Sequence, residues 1–242
     1  MSHLALHGFT QRGAMWDEVA GLVGGPWAAP DLPGHAGQPI CDWDEAVARV
    51  GEWLRGLPRP RALVGYSMGG RLALGAALEH AELVDSLVLL SASPGIGDAQ
   101  ARRERLEADR GLADRIEAIG LSAFLEEWLA RPWFGGGRTP PPEWRQAEHA
   151  ARSAGEATGV AEALRRLGQG SQPYYGDRLG ELRPPVVLVA GSDDAPYAAL
   201  ACRMGAAAAR SRVVLLGGAG HAVVAERPGE VAVLLESAGV GE

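Results

Sequence analysis

Cysteine is nearly absent from this chain of 242 residues: Cys41 and Cys202 are far apart, with no histidines at ligand spacing beside them. That argues against a disulfide framework. It reads as two reduced thiols in a cytoplasmic protein, with one structural disulfide as the lesser alternative. No apolar run approaches the length of a membrane span. The opening residues, Met1-Ser2-His3-Leu4-Ala5-Leu6-His7-Gly8, lack the charged start and long apolar stretch of a secretory signal. Positive charge is also short. Against 30 Asp and Glu there are 23 Lys and Arg, leaving a net charge of -7 and a pI near 5.4. Nucleic acid and anionic membrane surfaces are therefore excluded as main partners, because both are polyanions. A small anionic ligand is not excluded, since it needs only a local convergence of basic side chains. Internal repeats are absent too.

What is present suits one large α/β domain spanning residues 1–242, with 47% of its residues hydrophobic. Short apolar runs alternate with longer helix-compatible stretches, the pattern of a parallel sheet covered on both faces. The clearest strands are Arg61-Ala-Leu-Val-Gly-Tyr66, Asp85-Ser-Leu-Val-Leu-Leu90, Pro185-Val-Val-Leu-Val-Ala190 and Arg212-Val-Val-Leu-Leu216. His3–His7 and Trp27–Asp31 are weaker, and together they predict six parallel strands. Helices are expected over Trp16–Val23, Trp43–Gly56, Gly69–His80, Tyr197–Ala209 and Pro228–Ala238. Between about residues 94 and 180 the strand pattern stops. That stretch reads as a helical cap inserted over the carboxyl edge of the sheet, where open α/β folds bind ligands. A Gly/Pro-rich loop or hinge, Gly135-Gly-Gly-Arg-Thr-Pro-Pro-Pro142, interrupts it.

Gly65-Tyr-Ser-Met-Gly69 has the pattern Gly-x-Ser-x-Gly between a strand and a small-residue helix. Such a turn is too tight for side chains two residues either side of the serine. It holds the Ser67 hydroxyl at its tip, near free helix N–H groups. A serine hydroxyl is a poor nucleophile or base alone and needs a histidine held by a carboxylate. His221, in Gly217-Gly-Ala-Gly-His-Ala222, follows the last strand and has the right place in the order Ser…Asp…His. The acid should follow the strand ending at Ala190, where Asp194 is preferred and Asp193 held in reserve. The backbone amides of Phe9, after the first strand, and Met68, after the serine, are candidates for an oxyanion hole. His7 and the turn Asp31-Leu-Pro-Gly-His35 read as structural, the turn packing beneath the site.

Leu6-His-Gly-Phe9, Asp31-Leu-Pro-Gly-His35, Gly65-Tyr-Ser-Met-Gly-Gly-Arg71 and Gly220-His221 together resemble the α/β-hydrolase superfamily over nearly the whole chain. That scaffold hosts many reactions. Finer features resemble one branch, the MenH family of menaquinone biosynthesis. They are Arg71 after Ser-Met-Gly-Gly, Ser93-Pro-Gly-Ile96 followed by Arg102, Arg105 and Asp109, then Phe124-Leu-Glu-Glu-Trp128 and Arg131-Pro-Trp-Phe134. Ala151-Arg-Ser153 ahead of Gln172-Pro173 completes the set. Members of that family eliminate pyruvate from 2-succinyl-5-enolpyruvyl-6-hydroxy-3-cyclohexene-1-carboxylate to give 2-succinyl-6-hydroxy-2,4-cyclohexadiene-1-carboxylate.

The resemblance implies a carbon–oxygen lyase with Ser67, Asp194 and His221 as a triad and Ser67 acting as a base. It also implies substrate contacts for Tyr66, Arg71, Arg105, Trp128 and Arg152. Its partner is then a small polycarboxylate substrate, and no metal or organic cofactor is expected. Arginine forks suit such a substrate because they pair with carboxylates bidentately. On residues alone, Arg71 stands best, one turn from the serine. Arg105 shares a helical stretch with Glu104, Glu107, Asp109 and Asp114, as a solvated face would, and Trp128 at helical spacing from Phe124 and Leu125 also reads as core. Two features depart from the resemblance: the usual opening antiparallel strands are missing or shortened, and Gly34-His-Ala-Gly-Gln38 replaces the usual Gly-His-Gly-x-Ser turn. A serine hydrolase of carboxylic esters or C–C bonds using the same triad covalently is the alternative. A non-catalytic binding protein is a third reading, disfavoured by the intact Ser67 and His221.

Overall fold

The apolar runs alternate their side chains between two helical layers, and that alternation builds the fold. A computed structural model describes residues 1–135 and 141–238. The strands are β1 (Ser2–Leu6), β2 (Trp27–Ala28), β3 (Arg61–Tyr66), β4 (Ser86–Leu90), β5 (Val186–Gly191) and β6 (Ser211–Leu216). They form one sheet in the order β2-β1-β3-β4-β5-β6, and every pairing is parallel. The helices are α1 (Asp17–Leu22), α2 (Trp43–Arg55), α3 (Met68–Glu79), α4 (Ala99–Ile119), α5 (Leu121–Leu129), α6 (Pro142–Arg152), α7 (Ala157–Leu167), α8 (Ala195–Ala207), α9 (Val223–Glu226) and α10 (Pro228–Ala238).

Leu4, Leu6, Leu63, Leu87, Leu89 and Leu188 point to one face, against α2, α3 and α8. Ala5, Val64, Tyr66, Val88, Leu90, Val187 and Val189 point to the other, against α1 and α10. Strands buried on both faces read as continuous apolar runs for this reason. The α2 helix starts where Asp42 accepts the Glu45 N–H at 3.0 Å while the Glu45 carboxylate reaches back to the Asp42 N–H, a reciprocal cap.

Register then sets the site. Leu6 pairs with Gly65, Tyr66 with Leu90, Leu90 with Val189, and Gly191 with Leu216. The carboxyl ends of β1, β3, β4, β5 and β6 therefore lie level, and the loops leaving them meet. Strand order reverses direction between β1 and β3, the switch point at which open parallel sheets form a ligand crevice. Gly8-Phe9 leaves β1 there and Ser67 leaves β3.

Most expected boundaries move by one or two residues, the helix expected over Tyr197–Ala209 running Ala195–Ala207, and two changes have a clear local form. The second strand was expected over Trp27–Asp31 but ends at Ala28, because Pro30 has no N–H to donate and Asp31 turns to accept the Gly13 N–H at 2.8 Å. The first helix opens with a 3-10 turn over Gly13–Trp16. Between β4 and β5 lie α4 to α7, which carry a third apolar cluster including Ile116, Phe124, Leu125 and Leu164. Most of the expected Gly/Pro loop, residues 136–140, lies outside the described residues. Cys41 and Cys202 are free thiols. Among the described residues no helix is long and apolar enough to cross a membrane.

Candidate active site

Ser67 sits between β3 and α3 with φ 50° and ψ −109°, a conformation that costs a non-glycine residue about 1–3 kcal/mol. The packing that imposes it is local. A Cβ on Gly65 would lie 2.5 Å from the Gly69 carbonyl oxygen, and one on Gly69 would lie 2.3 Å from the Leu6 carbonyl oxygen. The backbone is pinned as well: the Ser67 N–H donates to the Leu90 carbonyl at 2.9 Å and the Gly69 N–H to the His7 carbonyl at 2.9 Å.

The loop after β6 brings His221 to this serine. A Cβ on Gly191 would lie 2.1 Å from the Ala219 carbonyl oxygen, so glycine at the end of β5 lets that loop approach. The His221 N–H donates to the Trp133 carbonyl at 3.0 Å, and the Ser91 hydroxyl donates to the His221 carbonyl at 3.1 Å. His221 Nδ1 lies 2.6 Å from Asp194 Oδ2, and Nε2 lies 3.1 Å from Ser67 Oγ. A carboxylate only accepts, so Nδ1 carries the proton and Nε2 is left to accept from the serine hydroxyl. Of the two aspartates considered, Asp194 is buried against the imidazole at the start of α8, whereas Asp193 is exposed and accepts the Ser192 hydroxyl at 3.0 Å.

Two buried histidines brace the loops behind the serine. His7 Nδ1–H donates to the Gly8 carbonyl at 2.8 Å, and its Nε2 accepts the Leu32 N–H at 2.8 Å. His35 Nδ1–H donates to the Pro33 carbonyl at 3.1 Å, and its Nε2 accepts the Thr10 N–H at 3.1 Å. Burial holds both rings neutral, pushing His35 down to about 4 and His7 well below the ordinary histidine value. Each thus ties the loop after β1 to the loop after β2, as the sequence suggested. Phe9 and Met68 line the cavity with Ser67, and neither amide donates to a protein acceptor among the described residues.

The cavity over Ser67 has a volume of about 460 Å³. Tyr66, Arg71, Arg105, Trp128 and Arg152, all singled out in the sequence, line it. Arg71 is buried and donates to the Leu167 carbonyl at 2.9 Å, with its guanidinium 5.7 Å from the Trp43 ring. Burial lowers its pKa to about 10. Arg105 donates to Asp109 at 2.7 Å and to Gln169, and Asp109 also accepts the Gly170 N–H at 3.0 Å. Arg152 is buried, paired with Glu148, and donates to the Thr10 hydroxyl at 2.9 Å. The solvated-face reading of Arg105 thus holds only in part: its side chain is 41% exposed, but its partner Asp109 is buried. Trp128 belongs to both readings, packing on Phe9, Phe124, Trp133 and Phe134 while facing the cavity.

Sequence reasoning missed three lining groups. Tyr197 stands 4.5 Å from the His221 ring, centroid to centroid, and accepts from Gln169 at 2.9 Å. Arg131 is the third. The signal for Tyr197 was its place one helical turn after Asp194; for Arg131 it was the position one turn after Trp128.

Comparison with known proteins agrees with this architecture. The chain belongs to the alpha/beta hydrolase family, whose model matches residues 4–234. Within it, the chain falls in the branch of the 2-succinyl-6-hydroxy-2,4-cyclohexadiene-1-carboxylate synthases. It is 32% identical to the synthase of that name from Serratia proteamaculans over 197 residues, 78% of this chain and 75% of that one. A Bacillus subtilis relative is 37% identical over 166 residues, which take in 69% of this chain and 61% of that relative's length. The solved structure of MenH from S. aureus superposes with a TM-score of 0.92 at 26% identity, covering 98% of this chain and 92% of that one.

Proposed function

We propose that this protein is a 2-succinyl-6-hydroxy-2,4-cyclohexadiene-1-carboxylate synthase, a lyase that eliminates pyruvate from 2-succinyl-5-enolpyruvyl-6-hydroxy-3-cyclohexene-1-carboxylate. The observation that carries the reading is the hydrogen-bonded chain Asp194–His221–Ser67 opening into a cavity lined by arginines. His221 Nε2 takes the Ser67 proton, and the serine oxygen takes the proton at ring carbon 2, next to the succinyl carbonyl. The C2–H pair becomes the C2=C3 bond, the old C3=C4 pair moves to C4=C5, and the C5–O bond breaks. The leaving enolate picks up a proton as pyruvate. Charge that builds on the succinyl oxygen is met by the amides of Phe9 and Met68, groups already oriented and without other partners. Arg71, Arg105 and Arg152 hold the carboxylates, and Tyr66 directs its hydroxyl at the bound ring. In this reading residues 94–180 are a helical cap on a single domain, and the substrate binds between cap and sheet.

Pyruvate release from the enzymatically generated enolpyruvyl substrate is the test, read beside a panel of nitrophenyl esters. Fast release that falls by roughly 10²–10⁴-fold in Ser67→Ala supports the lyase. Fast ester turnover through a trapped acyl-Ser67, with no pyruvate, would make the protein a serine hydrolase instead.

A further inference from the structure

Among the described residues four guanidinium groups line the cavity, and they differ in what already holds them. Arg105 and Arg152 each have a carboxylate within salt-bridge distance, and Arg71 is spent on the Leu167 carbonyl. Arg131 has neither: among the described residues its side chain makes no hydrogen bond and no ion pair. Its guanidinium lies 5.0 Å from the ring centroids of both Trp128 and Trp133. Partial burial lowers its pKa, with Glu127 acting in the opposite direction. Two aromatic faces hold the cation by cation–π attraction, and among the described residues no acceptor takes any of its five donors.

Such a group is set up for an anion. Its planar fork is fixed before the ligand arrives, so little side-chain freedom is lost on binding. Its location also differs from that of Arg71 and Arg152, while Arg105, whose side chain is 41% exposed, is already paired with Asp109. Arg71 and Arg152 are buried, whereas Arg131 is half-buried, just past the end of α5 and two residues before the Trp133 carbonyl that receives the His221 N–H. We infer that Arg131 is a specificity-determining residue that binds the terminal carboxylate of the substrate's succinyl arm. A charged group at the end of a flexible arm meets the partly exposed cation that has no carboxylate partner among the described residues, while the ring carboxylate goes to the inner arginines. The inference rests on the proposed function for the identity of the arm.

The test uses two probes: a benzoate with an ortho 3-carboxypropanoyl chain, and the same molecule with the chain carboxylate replaced by a carboxamide. Binding of each to the full chain is measured by calorimetry for the wild type, Arg131→Gln and Arg131→Lys. The wild type should prefer the dicarboxylate by about ten- to hundredfold, the worth of one charge-assisted pair. Arg131→Gln should lose that preference while binding the carboxamide as the wild type does, and Arg131→Lys should keep an intermediate preference. With the enolpyruvyl substrate, the Gln variant should raise KM by more than it lowers kcat. Arg131→Gln that still discriminates, or that weakens both probes equally, overturns the assignment. So does a wild type that releases pyruvate yet shows no preference. Discrimination lost in the Gln variant of a protein that releases no pyruvate would keep the carboxylate subsite and remove only the proposed reaction.

Discussion

At the carboxyl edge of the sheet, polar side chains have fixed protein partners; on the helices lining the cavity, the arginines of α3, α4 and α6 and the one after α5 differ in what holds them. His7 and His35 use both ring nitrogens on backbone groups, and His221 is held on one side by Asp194. Arg105 and Arg152 have carboxylate partners, Arg71 has a carbonyl, and Arg131 has aromatic faces. Groups that must be aimed to within a few tenths of an ångström come from strand ends, whose register is set by the core. Groups that must attract a charged ligand come from the helical side, where an incomplete set of partners leaves positive potential in an otherwise acidic protein.

The largest effect expected from breaking the edge half is Asp194→Asn. An amide can hydrogen-bond the imidazole with the wrong tautomer, leaving Nε2 protonated and unable to accept from Ser67. Pyruvate release should fall by roughly a thousandfold or more with the fold intact, read from turnover and circular dichroism together. Arg71→Met probes the other half. Removing a buried cation that has no carboxylate should leave the unfolding midpoint unchanged or raised, while KM for the enolpyruvyl substrate rises by about ten- to hundredfold. A midpoint that falls with KM would make Arg71 a structural residue.

A smaller effect comes from pH. His35 titrates near 4 in the folded chain against an ordinary value of 6.5, and His7 is depressed as well. The unfolded state therefore binds more protons between those values. The stability these neutral rings confer is complete above about pH 6.5 and is lost as pH falls toward 4, at up to about 1.4 kcal/mol per pH unit for each histidine. His35→Gln, whose amide can still donate to Pro33 and accept from Thr10, should flatten the acid limb of urea unfolding between pH 6.5 and 4. An unchanged slope would mean that the ring is already charged in the fold. Smallest of all, Asp193→Asn should leave turnover within about twofold of the wild type, because this exposed carboxylate faces Ser192 and not the imidazole.

Much of the edge half was legible before any coordinates. Ser67 is announced by glycines at 65 and 69 because only a residue without a side chain fits against the Gly69 and Leu6 carbonyls. His221 is announced by its loop after the last strand. Asp193 and Asp194 could not be separated, since neighbouring loop residues differ only in which way the backbone turns. The helical half was far less readable. Arg105 and Glu104, Glu107 or Asp109 look alike on a solvated helix, and what distinguishes Asp109 is burial against Gly170, 61 positions away in the chain. Arg131 offered only its place one turn after Trp128, because its partners are ring faces, one of them two residues away across a turn.

The sequence by itself determined the order of strands and helices, the strained serine turn and the chemical types available to the site. These depend on periodicity and on steric limits within a few residues. Only the tertiary structure decided which aspartate meets His221, that Phe9 and Met68 line the same cavity, and which arginines lack a carboxylate partner among the described residues. Those are distances between groups far apart in the chain, and they are set by the register of β1, β3, β5 and β6 and by where the helices after β4 come to rest.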